Sequence, residues 1–174
     1  CFVAGFGAAD IVFAIDTSGS MDDEIAAVQD AVPALADELS SAGIDAQFAL
    51  VDMDDNDDDE AADDGDDDDA CPTETSTTEA NYVDLDFTSS VSDFTAAIGG
   101  MAANDSNVDP YDAIYDVANN SFTSISSTDS KCDHADSLTY RSDAQKFLIV
   151  VTDTGDEINN GIGSTAAQAA ASAA

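Results

Sequence analysis

Basic residues are nearly absent from this sequence. Its 174 residues contain three Lys and Arg against 38 Asp and Glu, which gives a formal net charge of −35 at pH 7. A field of this sign repels nucleic acid and anionic lipid, which excludes both as expected partners. It attracts cations, and a compact chain of this charge needs screening by salt or bound divalent ions. A saline or calcium-rich exterior is the natural habitat, and a halophile's cytoplasm is the competing explanation.

Cysteine is scarce, and long apolar runs are missing. Cys1, Cys71 and Cys132 do not show a metal-ligand spacing such as CxxC. One disulfide with one thiol left over fits an exported protein, and a cysteine at position one is also typical of a processed lipoprotein. No stretch of 18 apolar residues could span a membrane. We therefore expect a secreted or surface-attached protein without a membrane span.

Apolar runs alternate with amphipathic segments along the chain. Residues 10–16, DIVFAID, are an apolar run that predicts a strand buried on both faces, and residues 146–153, KFLIVVTD, predict another strand that is apolar throughout. Further strands are predicted at 46–53 and 81–87, and helices at 22–41, about 90–101 and 109–119. The order predicts an α/β fold, a doubly wound and mainly parallel sheet flanked by helices. The strand at 81–87 should form a half-solvated edge, and Pro33 should kink the first helix.

Carboxylates and hydroxyls follow the first predicted strand. In DTSGS, residues Asp16, Ser18 and Ser20 can turn onto one centre, and Asp153 ends the last predicted strand. Ligands in a doubly wound sheet bind beyond the carboxyl ends of its strands. Oxygen atoms are the ligands of hard divalent cations. The pattern therefore predicts a metal site, and a helix start with Ser20 or Asp22 as its N-cap is the alternative.

DIVFAIDTSGSM together with KFLIVVTDTGDE resembles a von Willebrand factor type A domain over nearly the whole chain. The resemblance implies a metal-ion-dependent adhesion site for Mg²⁺ or Ca²⁺, with Asp16, Ser18, Ser20 and Asp153 as matching ligands. It also implies a binding function in which a partner's carboxylate completes the metal shell. The family's second-loop ligand falls on Val108, which cannot coordinate. Asn107, Asp109, Asp105 or Ser106 could substitute if the loop shifts, and otherwise water fills that position.

DTSGSMDDE also resembles the integrin β-subunit version of the domain. That resemblance implies an adjacent calcium held by Asp23 and Glu24. The alternative is that both are ordinary acids at the positive end of a helix.

An acidic insertion, residues 52–80, interrupts the predicted sheet. Its alternating acids resemble a thrombospondin type-3 calcium repeat, which implies calcium ligands at Asp55, Asp57, Asp59, Asp63 and Asp66. A solvated, disordered acidic loop is the alternative. Cys1 and Cys132 both precede strands at the end of the sheet opposite the metal, so they form the easier disulfide, and Cys71–Cys132 is the other possibility.

The whole of 1–174 is predicted to be one such domain, with its C-terminal strands missing from this chain. Four strands are predicted where the family has six, and an apolar last strand would otherwise be an exposed edge. Either the gene continues, or a neighbouring chain supplies a strand and the protein is a calcium-stabilised subunit of a filament or surface layer. The lone His134 has no evident catalytic Ser or Cys partner, so an enzyme is not expected.

Overall fold

The computed structural model describes residues 7–54, 80–101, 103, 110–122 and 137–153. Four strands and three helices lie in these ranges. The strands are β1 (Ala8–Asp16), β2 (Asp45–Asp54), β3 (Ala80–Thr88) and β4 (Ala144–Val151). The helices are α1 (Asp22–Ser41), α2 (Val91–Ile98) and α3 (Pro110–Asn119).

The four strands form one sheet in the order β3-β2-β1-β4. The central strand β1 pairs in parallel with both β2 and β4, and β3 runs antiparallel to β2. This confirms the predicted α/β fold with a mainly parallel sheet, and it places β3 at an edge. Because parallel strands share a direction, β1, β2 and β4 all bring their carboxyl ends to one edge of the sheet.

Alternate residues of β1 enter two different cores. Ile11, Phe13 and Ile15 pack with α1 and α2, where the rings of Phe13 and Phe94 lie 5.3 Å apart. Val12 and Ala14 pack on the other face, against Ala113 and Val117 of α3 and neighbouring side chains. Both faces of β1 are buried against apolar cores, which explains why its sequence is an uninterrupted apolar run.

Several bounds differ from those predicted. β4 ends at Val151, so Asp153 lies two residues beyond the strand. α2 is shorter than the predicted 90–101, because Gly99 and Gly100 form a turn after Ile98. By contrast, α1 has the predicted bounds 22–41 and continues through Pro33, whose side chain is exposed. β2 extends through Asp54, so the acidic insertion contributes its first residues to a strand.

An ion-pair network joins the strands at the end of the sheet opposite their carboxyl ends. Asp10 of β1 is completely buried, and it accepts hydrogen bonds from Nε and the backbone N–H of Arg141, both at 2.7 Å. The same guanidinium donates to the carbonyl of Ala9 and to Asp45 on β2. The only arginine of the chain therefore connects β1 and β2 to the segment that enters β4.

Among the described residues, none of the helices is both long and apolar enough to cross a membrane.

Candidate metal centre

The candidate centre lies at the carboxyl end of β1. Asp16 is the last residue of this strand, and its side chain is completely buried. Transfer of a carboxylate out of water is costly unless other groups hold it. Two donors do so here: Oδ1 accepts the backbone N–H of Ser18 at 2.7 Å, and Oδ2 accepts the Thr152 hydroxyl at 2.5 Å. The carboxylate is therefore fixed in direction at the edge of the sheet.

Thr152 reaches Asp16 because of the register between β1 and β4. Ile15 pairs with Val151, so the next residues, Asp16 and Thr152, leave their strands side by side. Asp153 follows at once at the same edge, and its side chain is exposed. Two aspartates that are far apart in sequence thus lie at the same end of the sheet.

The turn after β1 is held from two sides. The Thr17 hydroxyl donates to Oδ1 of Asp52 at 2.7 Å, which ties the turn to β2. The carbonyl of Ser18 accepts the N–H of Met21 at 2.9 Å, and Met21 is buried beneath the start of α1. The turn is therefore anchored on both sides of Ser18.

Ser18 carries the clearest sign of a ligand. Its side chain is 6 % exposed, and its Oγ has no hydrogen-bond partner among the described residues. A buried hydroxyl left unpaired costs about 1–3 kcal/mol. A cation at this position would remove that cost, because hydroxyl oxygen is a ligand that Mg²⁺ and Ca²⁺ accept. The residues present therefore fit a hard divalent ion.

The donor set is poor in carboxylates. Within the described ranges, no three His, Cys, Asp or Glu side chains converge in a way that could hold a metal. Asp16 and Asp153 are the predicted carboxylate ligands within these ranges, so hydroxyls and water would supply the remaining ligands. A set with so few charged ligands would leave a bound cation with positive charge that an outside carboxylate could neutralise.

Other predicted ligands fall in different places. Ser20 is exposed in the turn after β1, and Asp23 and Glu24 are exposed in the first turn of α1. The remaining predicted residues lie outside the described residues: Asn107, Asp109, Asp105, Ser106, Asp55, Asp57, Asp59, Asp63, Asp66, Cys1 and Cys132.

A second group of polar residues lies near the centre and was not predicted. Asn81, buried at the start of β3, donates through Nδ2 to Oδ2 of Asp116 on α3 at 2.8 Å. Asp112 lies one helical turn before Asp116 and is also buried. Burial raises the pKa of Asp116 to about 6, the Asn81 hydrogen bond opposes this rise, and the charge of Asp112 adds to it. The signal for this pair in the sequence is the spacing of four residues between Asp112 and Asp116. It places both acids on one side of a helix whose apolar face includes Ala113 and Val117.

We expect Asp116→Asn to stabilise the protein at neutral pH. The folded-state pKa lies above the ordinary value of 3.8, so the unfolded chain releases its proton first and wild-type stability falls as pH rises from about 4 to 6. The shift corresponds to at most about 3 kcal/mol, and partial exposure reduces this to about 1–2 kcal/mol. Urea unfolding at pH 4 and pH 7 measures the effect.

The matched control for this prediction is Asp143→Asn, which removes an exposed carboxylate at the far end of the sheet. It corrects for the general relief of self-repulsion in this acidic chain. Equal stabilisation by the two substitutions at pH 7 would contradict the role assigned to burial of Asp116.

Comparison with known proteins defines the class. A family model, von Willebrand factor type A domain, matches residues 10–174. The chain therefore belongs to the von Willebrand factor type A domain family, in agreement with its sheet and with the position of DTSGS at the end of β1. No curated protein matches the chain.

Two similar solved structures come from Porphyromonas gingivalis. The vWF domain of the type V pili tip protein Mfa5 has a TM-score of 0.51 and 16 % identity, and the match covers 87 % of this chain and 39 % of that one. The three N-terminal domains of the same tip protein give a TM-score of 0.48 and 15 % identity, covering 83 % and 19 %. The present chain thus spans about two fifths of the first structure's length, and at this identity the likeness concerns the fold.

Proposed function

We propose that this chain is an extracellular adhesion domain that binds a protein partner through a divalent cation at the ends of β1 and β4. The observation that carries the proposal is the buried Ser18 hydroxyl, which lies two residues from the buried carboxylate of Asp16 and has no partner among the described residues. Members of the family commonly act in extracellular adhesion and protein interaction, and the large negative charge suits a saline exterior.

The proposed ligands are Asp16, Ser18, Ser20 and Asp153, with Mg²⁺ or Ca²⁺ as the ion. The bound cation supplies an electrophilic position that a carboxylate of the partner can fill. The protein's own residues orient the site: Thr152 and the Ser18 N–H hold Asp16, and Thr17 anchors the turn to Asp52. The role is one of binding, and no catalytic step is assigned to any residue.

A carboxylate-bearing surface tests the proposal, because a chain of charge −35 should be repelled by it. Beads coated with the protein would be washed over a glutamate-rich peptide surface and over its glutamine counterpart. We expect retention on the glutamate surface in Mg²⁺, and its loss in EDTA at equal ionic strength. Ser18→Ala should reduce retention at least about tenfold, as removal of a metal contact does.

The stability of Ser18→Ala is a second measurement, and it should not fall as the retention does. Removal of a buried hydroxyl without a partner should leave the metal-free free energy of unfolding unchanged or raise it. Ser40→Ala, an exposed serine near the far end of α1, is the matched control and should change neither quantity. Retention of Ser18→Ala beads at the wild-type level would overturn the metal-dependent function.

A second function is favoured by the exposed edge. Within the described residues β4 pairs only with β1, and Phe147 on β4 is 49 % exposed. A neighbouring chain could complete the sheet there, which fits a calcium-stabilised subunit of an extracellular filament. The pilus-tip protein with a similar fold is compatible with this alternative. Sedimentation at rising protein concentration in Ca²⁺ separates the two, since the adhesion domain should remain a monomer.

A further inference from the structure

Three residues form a row across the sheet at the level of the proposed metal. Asp16 of β1 pairs with Met53 of β2, and Met53 pairs with Asn81 of β3. Neighbouring strands lie about 4.8 Å apart, so Asn81 is about 10 Å from Asp16 along this row. The row faces α3, because Val12 and Ala14 of β1 and Val83 of β3 have the same parity and pack in the α3 core.

Asn81 connects this row to two carboxylates. Its amide donates to Asp116 at 2.8 Å, and Asp112 lies one turn earlier on the same helix. Asp112 is buried and Asp116 is half-buried, so water screens their charges incompletely. An ion at the end of β1 would therefore lie on the order of 10 Å from Asn81, the residue that donates to Asp116.

We propose that Asp112 and Asp116 strengthen divalent cation binding at the end of β1 while Asp116 is ionised, and that uptake of a proton by Asp116 weakens it. The proposal rests on the metal-dependent function proposed above. The Ser18 hydroxyl, which has no hydrogen-bond partner among the described residues, is independent evidence for a ligand at that end. In this role Asp112 and Asp116 act on the ion through their charge at a distance and do not coordinate it.

Other charged groups also contribute to the field here, and the variants of Asp112 and Asp116 below leave them unchanged. On β2 these are Asp52, which accepts the Thr17 hydroxyl, and Asp45, which pairs with Arg141 at the far end. On β1 the α3 side presents Asp16 at the near end and Asp10 at the far end, where Arg141 neutralises it. On β4 it presents Lys146, whose Nζ lies 4.6 Å from the centre of the Tyr140 ring, again at the far end. The β3 partner of Asp116 is the neutral Asn81.

The expected size follows from Coulomb attraction. One carboxylate about 10 Å from a divalent ion changes its affinity roughly fourfold in the dielectric of water and several-hundredfold at an effective dielectric of about 20. For a half-buried group we expect about tenfold at low ionic strength. Cation binding and proton binding are reciprocal, so a tenfold effect on the ion lowers the pKa of Asp116 by about one unit when the ion is bound.

Mg²⁺ titration calorimetry of the full chain at low ionic strength tests the proposal. Heat that disappears in Asp16→Asn is assigned to the site. Asp116→Asn keeps an acceptor for Asn81 and should bind Mg²⁺ at this site about tenfold more weakly than wild type at pH 7.5. The ratio should shrink to below about twofold at pH 5, where Asp116 of the free wild-type protein is mostly protonated.

Two further variants make the result decisive. Asp143→Asn removes the same charge at the far end of the sheet and should weaken binding less than about twofold. Asp112→Asn should show a loss similar to that of Asp116→Asn at pH 7.5, and it serves if the latter does not fold. A loss in Asp116→Asn no larger than in Asp143→Asn, or a ratio that stays constant with pH, overturns this proposal and leaves the site intact. Full binding by Asp16→Asn overturns both.

Discussion

Replacement of Arg141 by Met should destabilise the protein by about 3–5 kcal/mol, the cost of leaving one partner of a buried ion pair alone. Asp10 is completely buried, and the substitution removes the guanidinium that bonds it at 2.7 Å, so only the backbone N–H of residue 141 remains. Folded domains are stable by about 5–15 kcal/mol, so this loss is a large fraction of the total. Urea denaturation measures it without adding salt.

The matched control is Lys146→Met, which removes the same charge from the next basic residue along the chain. Lys146 is exposed and lies over the Tyr140 ring, an interaction worth about 0.5–1 kcal/mol. Both variants lose one positive charge from a chain of −35, so their difference isolates the local contacts. If the two variants differ by less than about 1 kcal/mol, the network at Asp10 does not hold the sheet together as described.

Asp16→Asn should abolish stabilisation by Mg²⁺ while it preserves the fold. Asn can still accept the Ser18 N–H, and its other group can pair with the Thr152 hydroxyl, so the hydrogen bonds at the end of β1 survive. The negative charge that attracts the ion is lost, and we expect affinity at this site to fall at least about 100-fold.

Thermodynamic linkage makes this loss measurable. A ligand at 100 times its dissociation constant stabilises the folded state by about 2.7 kcal/mol, so wild type should gain this amount over Asp16→Asn in Mg²⁺. In EDTA the variant should be at least as stable as wild type, because a buried charge has been removed. Ions that merely screen the acidic surface act on both proteins alike. An equal gain in both would show that Mg²⁺ acts elsewhere.

The sheet could be predicted from the sequence for local reasons, whereas the metal centre stays a prediction. β1 is an apolar run that ends at an acid, and small residues follow Asp16. The parallel order then brings the end of β4 next to it. The bounds were less accurate: β4 ends at Val151, and the contact to Asp16 comes from Thr152, which sequence reasoning missed.

The contacts that were not predicted are long-range ones. Arg141 meets Asp10 across 131 positions and Asn81 meets Asp116 across 35, and such pairings depend on the register of the sheet and on which helix face is buried. The contact between Arg141 and Asp10 did have a signal in the sequence. An acid at the start of a buried strand needs a positively charged partner, and the chain has only three bases. The burial of Asp112 was harder to predict from the sequence, because acids near a helix N-terminus are ordinarily exposed.

The central claim is that the ends of β1 and β4 hold one divalent ion. Crystals of the protein grown in Mn²⁺, which accepts the same oxygen ligands, test it through an anomalous difference map. The account predicts a peak about 2.0–2.6 Å from Ser18 Oγ, beside Asp16 and Asp153. Peaks confined to other acidic segments, with the Ser18 hydroxyl uncoordinated, would contradict it.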